Sequence, residues 1–476
     1  MQLSPVGFLV CLVILVSAFS LRGSLLTALI ASLAFGSTSI VTLGSLGGSS
    51  PLIYTVFALL LAASVLVRKH LRQDLGKVLG RIQATWVVGA LMIYAAIGAF
   101  LLPRLFVGQT SAFVPSRTFK GVFEVPLEPV SGNITQLGYL ALGGVTFLCV
   151  CIVLLHRKGL EDIRRGFLLW SSLHTAMGVL DLASKLAGLG DILKPLRTAN
   201  YAMLTQADEA GFSRITGAYS EASAFGGVSL ACLAFTYTYW RKTNSRLALV
   251  LSLSLLVLLI LSTSSTAYVG LTILCIPVAL SIARSFAVGR VSSAEIMLVV
   301  LFIVGLLVVM AISLRNPDFF RPFMNLLDSA VFDKVNSASG QERAYWNYKS
   351  LQSFLDTGGL GIGIGSSRAS SWPIAVLSQL GLLGAIMMAA LLAIVARPSN
   401  ATNADGDPEI GAVVSSVRMC ALAGIVSGSL ISGSADPGIV FFVAVAVVCA
   451  GRVRDLRKRP VEATPYRYRQ SVGEAA

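Results

Sequence analysis

Charged side chains are scarce in this chain of 476 residues: 13% are Asp, Glu, Lys or Arg, whereas 55% are hydrophobic. A soluble domain usually carries about 25% charged residues. The mean hydropathy of +0.78 reflects the same shortage. A soluble fold of this length would expose more polar surface than these residues supply. The composition therefore excludes an ordinary cytosolic enzyme, a disordered protein and a secreted disulfide scaffold, and it favours an all-α polytopic membrane protein.

Cysteines arranged as metal ligands or as a disulfide framework are also missing. All seven cysteines lie inside apolar runs, without the spacing of a metal site. We interpret them as small core hydrophobes, and they do not indicate a redox compartment. No Asp-x-Asp pair occurs in the loops that we predict to lie outside the membrane. The sequence therefore predicts neither a metal site nor a cofactor.

Apolar runs close to the length of about 20 residues that crosses a bilayer recur along residues 1–450, which we predict to be one integral membrane domain. The first run lacks the basic start of a signal peptide and leads directly into the next run, so we expect a retained helix. If one N-terminal run is not a span, the count falls from thirteen to twelve. The candidate spans are 5–21, 24–42, 51–67, 85–102, 134–155, 167–188, 223–239, 247–262, 266–283, 295–314, 372–396, 412–432 and 438–450.

The basic residues predict the orientation of these spans. Of the 37 Lys and Arg residues, 23 fall in one set of alternating loops and in the polar tail 451–476. The positive-inside rule makes that set cytoplasmic. Thirteen spans then leave the N-terminus outside, and twelve leave both ends inside. The net charge of +14 thus reflects topology and the anionic cytoplasmic leaflet, and no nucleic-acid partner is predicted.

Three predicted outer segments are too long to be simple turns: 103–133, 189–222 and 315–371. Long connections of this kind are usually functional or disordered. In the third, apolar residues from Phe319 to Val331 recur at helical spacing, which predicts a helix on the membrane surface. The large outer loop is therefore expected to carry short helices.

A second helix in that loop, about 340–356, is predicted from a capping box formed by Ser339 and Glu342. Arg343, Asn347 and Ser350 share one face of it. Arg343 lies near the helix N-terminus, where the dipole is also positive. In a functional interpretation, the guanidinium of Arg343 and the helix N-terminus point at the same bound anion. In the alternative interpretation, Arg343 is a solvated surface residue.

The second outer segment ends in further candidates. Arg214 and Glu221 lie near the start of the next span, and the alternatives are an interfacial arginine and a helix-terminal charge. In the preceding span, Asp181 and Lys185 are spaced to pair. Ionisable groups in a span are functional candidates by default. A structural ion pair is favoured here because both lie near the outer end.

Histidine is nearly absent. His70 and His156 fall in cytoplasmic segments and His174 lies in a span, which excludes a histidine base in the outer loops. The glycine-rich stretch 357–367 follows a helix instead of a strand and lies outside, so it does not match a nucleotide-binding loop. Close approach of the backbone to a neighbour explains these glycines better.

The order of these segments resembles the O-antigen polymerase/ligase family of bacterial membrane glycosyltransferases. The resemblance covers about residues 200–400. It departs from the family pattern at Ser264-Ser265, where the family has Ser-Arg, and after the Gly-x-Gly turn, where serines stand in place of a histidine. The matching stretches are Ser213-Arg-Ile-Thr-Gly-Ala-Tyr-Ser-Glu221, Leu261-Ser-Thr-Ser-Ser-Thr-Ala267, Ser339-Gly-Gln-Glu-Arg-Ala-Tyr-Trp346, Gly359-Leu-Gly-Ile-Gly-Ile-Gly365 and Leu377-Ser-Gln-Leu-Gly-Leu-Leu-Gly384.

The resemblance implies a fold related to the multi-span (GT-C type) glycosyltransferases. It also implies transfer of an oligosaccharide from an undecaprenyl-diphosphate donor on the periplasmic face of the bacterial inner membrane. Arg214 and Arg343 would hold the diphosphate, with Arg368 a weaker third. Glu221 is the candidate general base, with Glu342 and Asp356 behind it. The remaining substrate-binding candidates are Tyr219, Trp346, Asn347, Gly363 and Gly365.

The missing outer histidine favours a polymerase that joins lipid-linked repeat units of an exopolysaccharide, capsule or O-antigen. Two alternatives stay open: a ligase that transfers glycan to a lipid or protein acceptor, and a lipid-linked oligosaccharide flippase. A flippase would predict repeats between the two halves, and no convincing repeat is found. The expected partners are the lipid-linked oligosaccharide and membrane lipid, together with a flippase and a chain-length regulator.

Overall fold

The computed structural model describes residues 2–20, 23–44, 48–116, 121–156, 158–201, 203–205, 208–209, 212–289, 291–315, 337–397 and 408–458. Most of them are helical. The helices are α1 (Pro5–Ser20), α2 (Leu25–Ser32), α3 (Ile53–Leu66), α4 (Leu71–Arg81), α5 (Ala84–Leu105), α6 (Ser131–Leu154), α7 (Lys158–Leu186), α8 (Ala222–Thr243), α9 (Arg246–Leu261), α10 (Ser265–Ala287), α11 (Ser293–Arg315), α12 (Ala338–Asp356), α13 (Trp372–Ala396), α14 (Pro408–Ile431) and α15 (Ile439–Lys458).

Sheet is confined, within the described residues, to three two-stranded antiparallel ribbons. They are β1 (Gln2–Leu3) with β2 (Val41–Thr42), β3 (Ser111–Ser116) with β4 (Gly121–Pro126), and β5 (Asp208–Glu209) with β6 (Phe212–Ser213). The second and third ribbons lie in predicted outer segments, whereas β2 of the first ribbon falls at the end of the predicted span 24–42.

Within the described part of the chain, five helices are long and apolar enough to cross a membrane: α5, α6, α10, α13 and α14. The pair α3 and α4, bent by 108°, makes six if it is one span. The prediction of a helical protein with several membrane-spanning helices is confirmed. We predicted twelve or thirteen spans, and fewer helices meet the length and composition expected of a span. Helices such as α1 and α9 are too short, with only 16 residues each.

Two predicted elements were wrong in extent. The span predicted over 24–42 is helical only to Ser32, after which the chain turns back through a polar stretch to β2. The backbone of this polar stretch is hydrogen-bonded to an outer loop. Ser37 N donates to Ala218 O at 3.0 Å, and Ser39 N donates to Thr198 Oγ1 at 3.0 Å. The basic loop after α3 contains α4, whose Val78 is buried while its basic residues face out.

The helices pack where small residues let them approach. α8 contacts α7, α9, α10 and α14, and α6 contacts α3, α5 and α15. Gly227 on α8 faces Ser427 on α14, and Gly143 on α6 faces Phe442 on α15, so closely that a Cβ at either glycine would collide. Close contact through small residues is typical of helix packing in membranes. Six of the cysteines are buried in this bundle, as expected, and Cys275 is exposed on α10.

The loops predicted to share one side of the membrane contact each other. Outer segments meet where Arg368 N donates to Phe113 O at 2.9 Å and Ala369 N donates to Gly433 O at 3.2 Å. At the opposite end, Glu409 binds both Arg164 and Tyr239. This segregation agrees with the predicted topology, whose absolute orientation stays a prediction.

The predicted helix 340–356 is present as α12, but its cap differs. Ser337 Oγ accepts from Gly340 N at 3.1 Å, so the cap lies two residues before Ser339. The predicted surface helix between Phe319 and Val331 lies outside the described residues. α15 continues to Lys458, so the first residues of the predicted tail 451–476 are helical.

Candidate functional site

A cleft of about 560 Å³ opens on the predicted outer face. Its walls come from β3, from the start of α6, from the loop between α12 and α13, and from the loop between α14 and α15. Its lining residues are Phe113, Val114, Pro115, Val130, Ser131, Gly132, Thr135, Gln136, Gly365, Ser366, Ser367, Arg368, Gln379, Gly433 and Ser434. Because all four walls belong to outer segments, the cleft lies on the side where the resemblance expects lipid-linked substrate.

The glycine-rich loop forms one wall because polar side chains from neighbouring helices hold its backbone. Asn133 Nδ2 on α6 donates to Ile364 O at 2.8 Å and to Ser366 Oγ at 2.7 Å. Gln379 Nε2 on α13 donates to Ser367 O at 2.8 Å. Both side chains are buried. The loop is therefore fixed before any ligand arrives, as suits a preorganised binding site.

Gly363 and Gly365 adopt left-handed backbone conformations, with φ of +88° and +78°. A Cβ at Gly363 would approach Gly98 O to 2.7 Å, and a Cβ at Gly365 would collide with Gly132 O. Gly365 lines the cleft, whereas Gly363 packs against α5. These glycines thus allow close backbone approach, as the sequence predicted, and only Gly365 is placed to face a ligand.

Gly365→Ala is expected to destabilise the protein more than Gly358→Ala. Both positions have positive φ, and Ala in that region costs about 1–2 kcal/mol. A Cβ at Gly358 meets nothing within 4 Å, whereas one at Gly365 strikes backbone. The extra collision should cost about 1–3 kcal/mol more. Thermal unfolding of the two purified variants tests this, and equal losses of stability would contradict the collision.

Arg368 is the residue on which the candidate charges converge. Its Cζ lies 5.4 Å from the centre of the Trp346 ring, in cation–π range. Partial removal from water lowers the pKa of Arg368. The positive charge of Arg343 lowers it further, whereas the negative charges of Glu221 and Glu342 raise it. The side chain keeps exposed surface, as expected on the wall of an open cleft. The structure therefore brings Arg343, Glu221 and Glu342 within electrostatic range of Arg368.

Helix α12 is docked so that Arg343 faces this cleft region. Asn347 Oδ1 accepts from Ser370 N at 2.8 Å, two residues beyond Arg368. Trp346 packs on Phe113 of β3, with ring centres 6.2 Å apart. Asn347 and Trp346 thus position the loop and the helix relative to each other, and Trp346 also stacks under the guanidinium.

The hairpin of β3 and β4 is fastened to the same helix. Glu124 accepts from Tyr345 Oη at 2.8 Å, and Lys349 Nζ lies 3.1 Å from Glu124 Oε1. Hydrogen bonds from Ser111, then from Tyr345 and Lys349, lower the pKa of Glu124 to about 2. The carboxylate is therefore ionised at any physiological pH, and the hairpin stays docked beside the cleft.

Asp356 lies away from the charge cluster. It lines a second, open cleft of about 480 Å³ beneath the hairpin, together with Lys349 and Gln352. Thirteen residues of helix separate it from Arg343, which corresponds to roughly 20 Å along the axis. Of the three predicted base candidates, Glu221 and Glu342 are near Arg368, and Asp356 is not placed with them.

Glu221 lies at the N-terminal boundary of α8 in an extended conformation. Ser223 Oγ donates to Glu221 Oε1 at 2.6 Å. A negative charge at this position is favourable for the helix dipole. Glu221 is thus held at the outer end of α8, within electrostatic range of Arg368.

Arg214 belongs to the turn that leads into Glu221. Its carbonyl oxygen accepts from Lys185 Nζ, and its guanidinium is close enough to act electrostatically on Tyr268 at the start of α10. Arg214 is half-buried. The structure therefore relates it to the outer ends of α7, α8 and α10.

A buried ion cluster beneath this turn sets its shape. Asp181 Oδ2 accepts from Thr216 N at 2.7 Å and from Gly217 N at 3.0 Å. Lys185 Nζ lies 3.1 Å from the same oxygen, and Arg197 Nη2 lies 3.6 Å from Asp181 Oδ1. These contacts support the structural interpretation of Asp181 and Lys185. Sequence reasoning missed Arg197, whose only signal was an arginine in a long outer loop.

Tyr219 is placed in the core. Its hydroxyl donates to Leu33 O at 2.9 Å, and its ring packs edge-on against His174, with centres 5.5 Å apart. His174 is itself buried and hydrogen-bonded to Ser229 at 2.7 Å. This placement supports a packing role for Tyr219 in place of the predicted contact with substrate.

No known protein-family model matches this chain, and no curated protein matches it. Among the described residues, no group of three or more His, Cys, Asp or Glu side chains has an arrangement that could hold a metal ion.

Proposed function

We propose that this chain is a polysaccharide polymerase that transfers oligosaccharide repeat units from an undecaprenyl-diphosphate donor onto a growing glycan. The observation that carries the proposal is the convergence of Arg343, Glu221 and Glu342 on Arg368 at an open cleft. The arginines come from the loop regions in which the resemblance expected diphosphate-binding residues. The proposed site faces the periplasm from the bacterial inner membrane, on a fold related to the GT-C glycosyltransferases.

The arginines suit the chemistry of such a transfer. When the bond between the sugar C1 and the diphosphate oxygen breaks, negative charge builds on the leaving diphosphate. Guanidinium groups are always charged and bind phosphate through two parallel hydrogen bonds. Arg368 and Arg343 would stabilise this charge more in the transition state than in the bound donor, which is the condition for faster reaction. Glu221 and Glu342 would limit the repulsion between the two cations.

The membrane setting supports a lipid-linked donor. The cleft opens at the outer end of α6 and α13, which are both long enough to span the bilayer. A diphosphate joined to a polyprenyl chain would then lie at the level of the lipid headgroups while its lipid stays in the membrane. The hydrogen-bonded glycine-rich loop offers a rigid wall for the diphosphate or the first sugar.

Deletion of the chain from its host is expected to cause accumulation of single lipid-linked repeat units. Without the polymerase, units that have been moved across the membrane cannot be joined. Mass spectrometry of extracted lipid-linked glycans measures this, and cells complemented with the wild-type chain are the control. Accumulation of long lipid-linked chains would instead indicate the ligase, and single units retained on the cytoplasmic leaflet would indicate the flippase.

A further inference from the structure

Asp436 lies in the short outer loop between α14 and α15, beside the arginine cleft. Its backbone N–H donates to Ser434 Oγ at 3.2 Å, and its Oδ1 accepts from Gly438 N at 3.0 Å. Within the described part of the chain, no group donates to Oδ2. Burial raises the pKa of Asp436 to about 6, although the hydrogen bond from Gly438 lowers it. One carboxylate oxygen thus holds the turn and the other is open.

Tyr54 lies within electrostatic range of this carboxylate, and two more tyrosines lie within range of Tyr54. Tyr54 of α3 interacts electrostatically with Asp436, Tyr139 and Tyr201. Tyr201 Oη donates to Gly36 O at 3.2 Å and lies 3.0 Å from Ser37 Oγ, so its hydroxyl is engaged. The hydroxyls of Tyr54 and Tyr139 have no hydrogen-bond partner among the described residues. Tyrosine offers an apolar ring face together with a polar tip, a combination that fits a sugar.

This group adjoins the arginine cleft on two sides. Ser434 lines the cleft, and its hydroxyl donates to Gln136 Oε1 of α6 at 2.8 Å. Tyr139 lies three residues after Gln136 and therefore shares its helix face, one turn further along. The loop itself is anchored by Trp372 Nε1, which donates to Ala435 O at 3.2 Å. The carboxylate thus belongs to the same loop as Ser434, whose side chain lines the cleft and accepts from Asp436 N.

We infer that Asp436 and the tyrosines around it form the acceptor-sugar subsite, in which Asp436 is the general base. This inference rests on the proposed function. It assigns the base to a carboxylate with an open oxygen, and it leaves Glu221, which is bonded to Ser223 and lies close to Arg368, to balance the charge of the arginines.

The proposed reaction forms one bond at C1 of the donor sugar and breaks another. The acceptor hydroxyl gives its proton to Asp436 Oδ2 while its oxygen forms the new bond to C1 of the donor sugar. The bond between C1 and the diphosphate oxygen breaks, and its electron pair leaves with the diphosphate, which Arg368 and Arg343 hold. Attack from the face opposite the leaving group inverts the configuration at C1. Asp436 then releases its proton to water.

The activity should fall as the pH is lowered. The base must be a carboxylate, and the pKa of Asp436 is about 6. Activity should therefore be full well above this value and should fall about tenfold for each pH unit below it. Among the described residues, Tyr54 is the titratable group that interacts electrostatically with Asp436.

The test uses the full-length protein in liposomes and lipid-linked repeat units extracted from a strain that lacks the chain. Asp436→Asn keeps an Oδ1 that can accept from Gly438 N, so the turn is preserved while the base is removed. We expect polymer formation to fall at least about 100-fold. Asp436→Glu should recover part of the rate with a shifted acidic limb. Glu128→Gln, an exposed carboxylate in another outer segment, is the control and should behave as wild type.

Binding of undecaprenyl diphosphate to the purified variants separates the possible outcomes. Asp436→Asn should bind it as wild type does, because the arginines are untouched. If wild-type protein polymerises and Asp436→Asn does so at the same rate with the same pH limb, the inference fails and the proposed function stands. Loss of undecaprenyl diphosphate binding in Asp436→Asn would assign Asp436 a structural role and also overturn the inference. If wild-type protein forms no polymer, the proposed function itself fails.

Discussion

Arg343→Ala is expected to lower polymer formation by about 10²–10³-fold, the usual effect of removing one preorganised group that stabilises a developing oxyanion. The structure gives the reason, since Arg343 acts on Arg368 across the cleft wall and both charges would face the leaving diphosphate. Arg343→Lys should recover only part of the rate, because an ammonium group keeps the charge and loses the bidentate geometry. Polymer length and amount in complemented deletion cells, with membrane protein levels measured alongside, provide the readout.

A matched control is Arg104→Ala. Arg104 is exposed at the outer end of α5, and its Nη1 donates to Phe100 O of the same helix at 2.6 Å. Its loss should leave polymer unchanged. Arg214→Ala, at the other predicted diphosphate arginine, should lower polymer formation to a similar extent as Arg343→Ala. Normal polymer in both variants would refute the proposed diphosphate site.

Asp181→Ala is expected to destabilise the folded protein by about 3–5 kcal/mol, as is typical when one partner of a buried ion pair is removed. The Asp181 side chain is 1% exposed and the Arg197 side chain 2%. Alanine would leave Lys185 without its carboxylate partner, whereas Arg197 would keep its ion pair with Asp191. It would also leave Thr216 N and Gly217 N without their acceptor, so the turn that carries Arg214 and leads into Glu221 should loosen as well.

Thermal unfolding of detergent-purified protein, followed by size-exclusion chromatography, measures this loss. Glu161→Gln is the control on the same helix, since Glu161 pairs with Arg165 at the surface. Surface pairs contribute about 0–1 kcal/mol. The Asp181→Ala variant should therefore unfold at a clearly lower temperature than Glu161→Gln. Similar unfolding temperatures would show that the buried cluster does not hold the turn.

Local structure was predicted well where a periodic pattern or a cap signal exists. The helix expected over 340–356 is present as Ala338–Asp356. Its cap was misplaced because Ser337 and Ser339 are both suitable and only the second has Glu three residues later. The span predicted over 24–42 failed because hydropathy alone does not register that the polar stretch after Ser32 pairs with a loop more than 150 residues away.

Residues whose partners lie far away in the sequence could not be recognised from local sequence patterns. Asp436 is a single acid in a short loop, and nothing in its neighbours along the chain distinguishes it. It interacts with Tyr54 of α3, which in turn interacts with Tyr139 and Tyr201 from two other segments. Tyr219 was predicted to contact substrate because the motif around it is polar, and the local pattern does not show that its hydroxyl is bonded to Leu33 O in the core.

The sequence by itself determined the class of protein and the division of its loops. Apolar composition requires burial in lipid, and the distribution of Lys and Arg separates two sets of loops, because both properties depend on local content. Only the tertiary structure decided which outer residues meet. Arg368 and Arg343 are brought near each other by the hydrogen bonds of Asn133, Gln379 and Asn347, which fix the loop and helix α12. Such contacts depend on how the helices pack, and no local pattern records that.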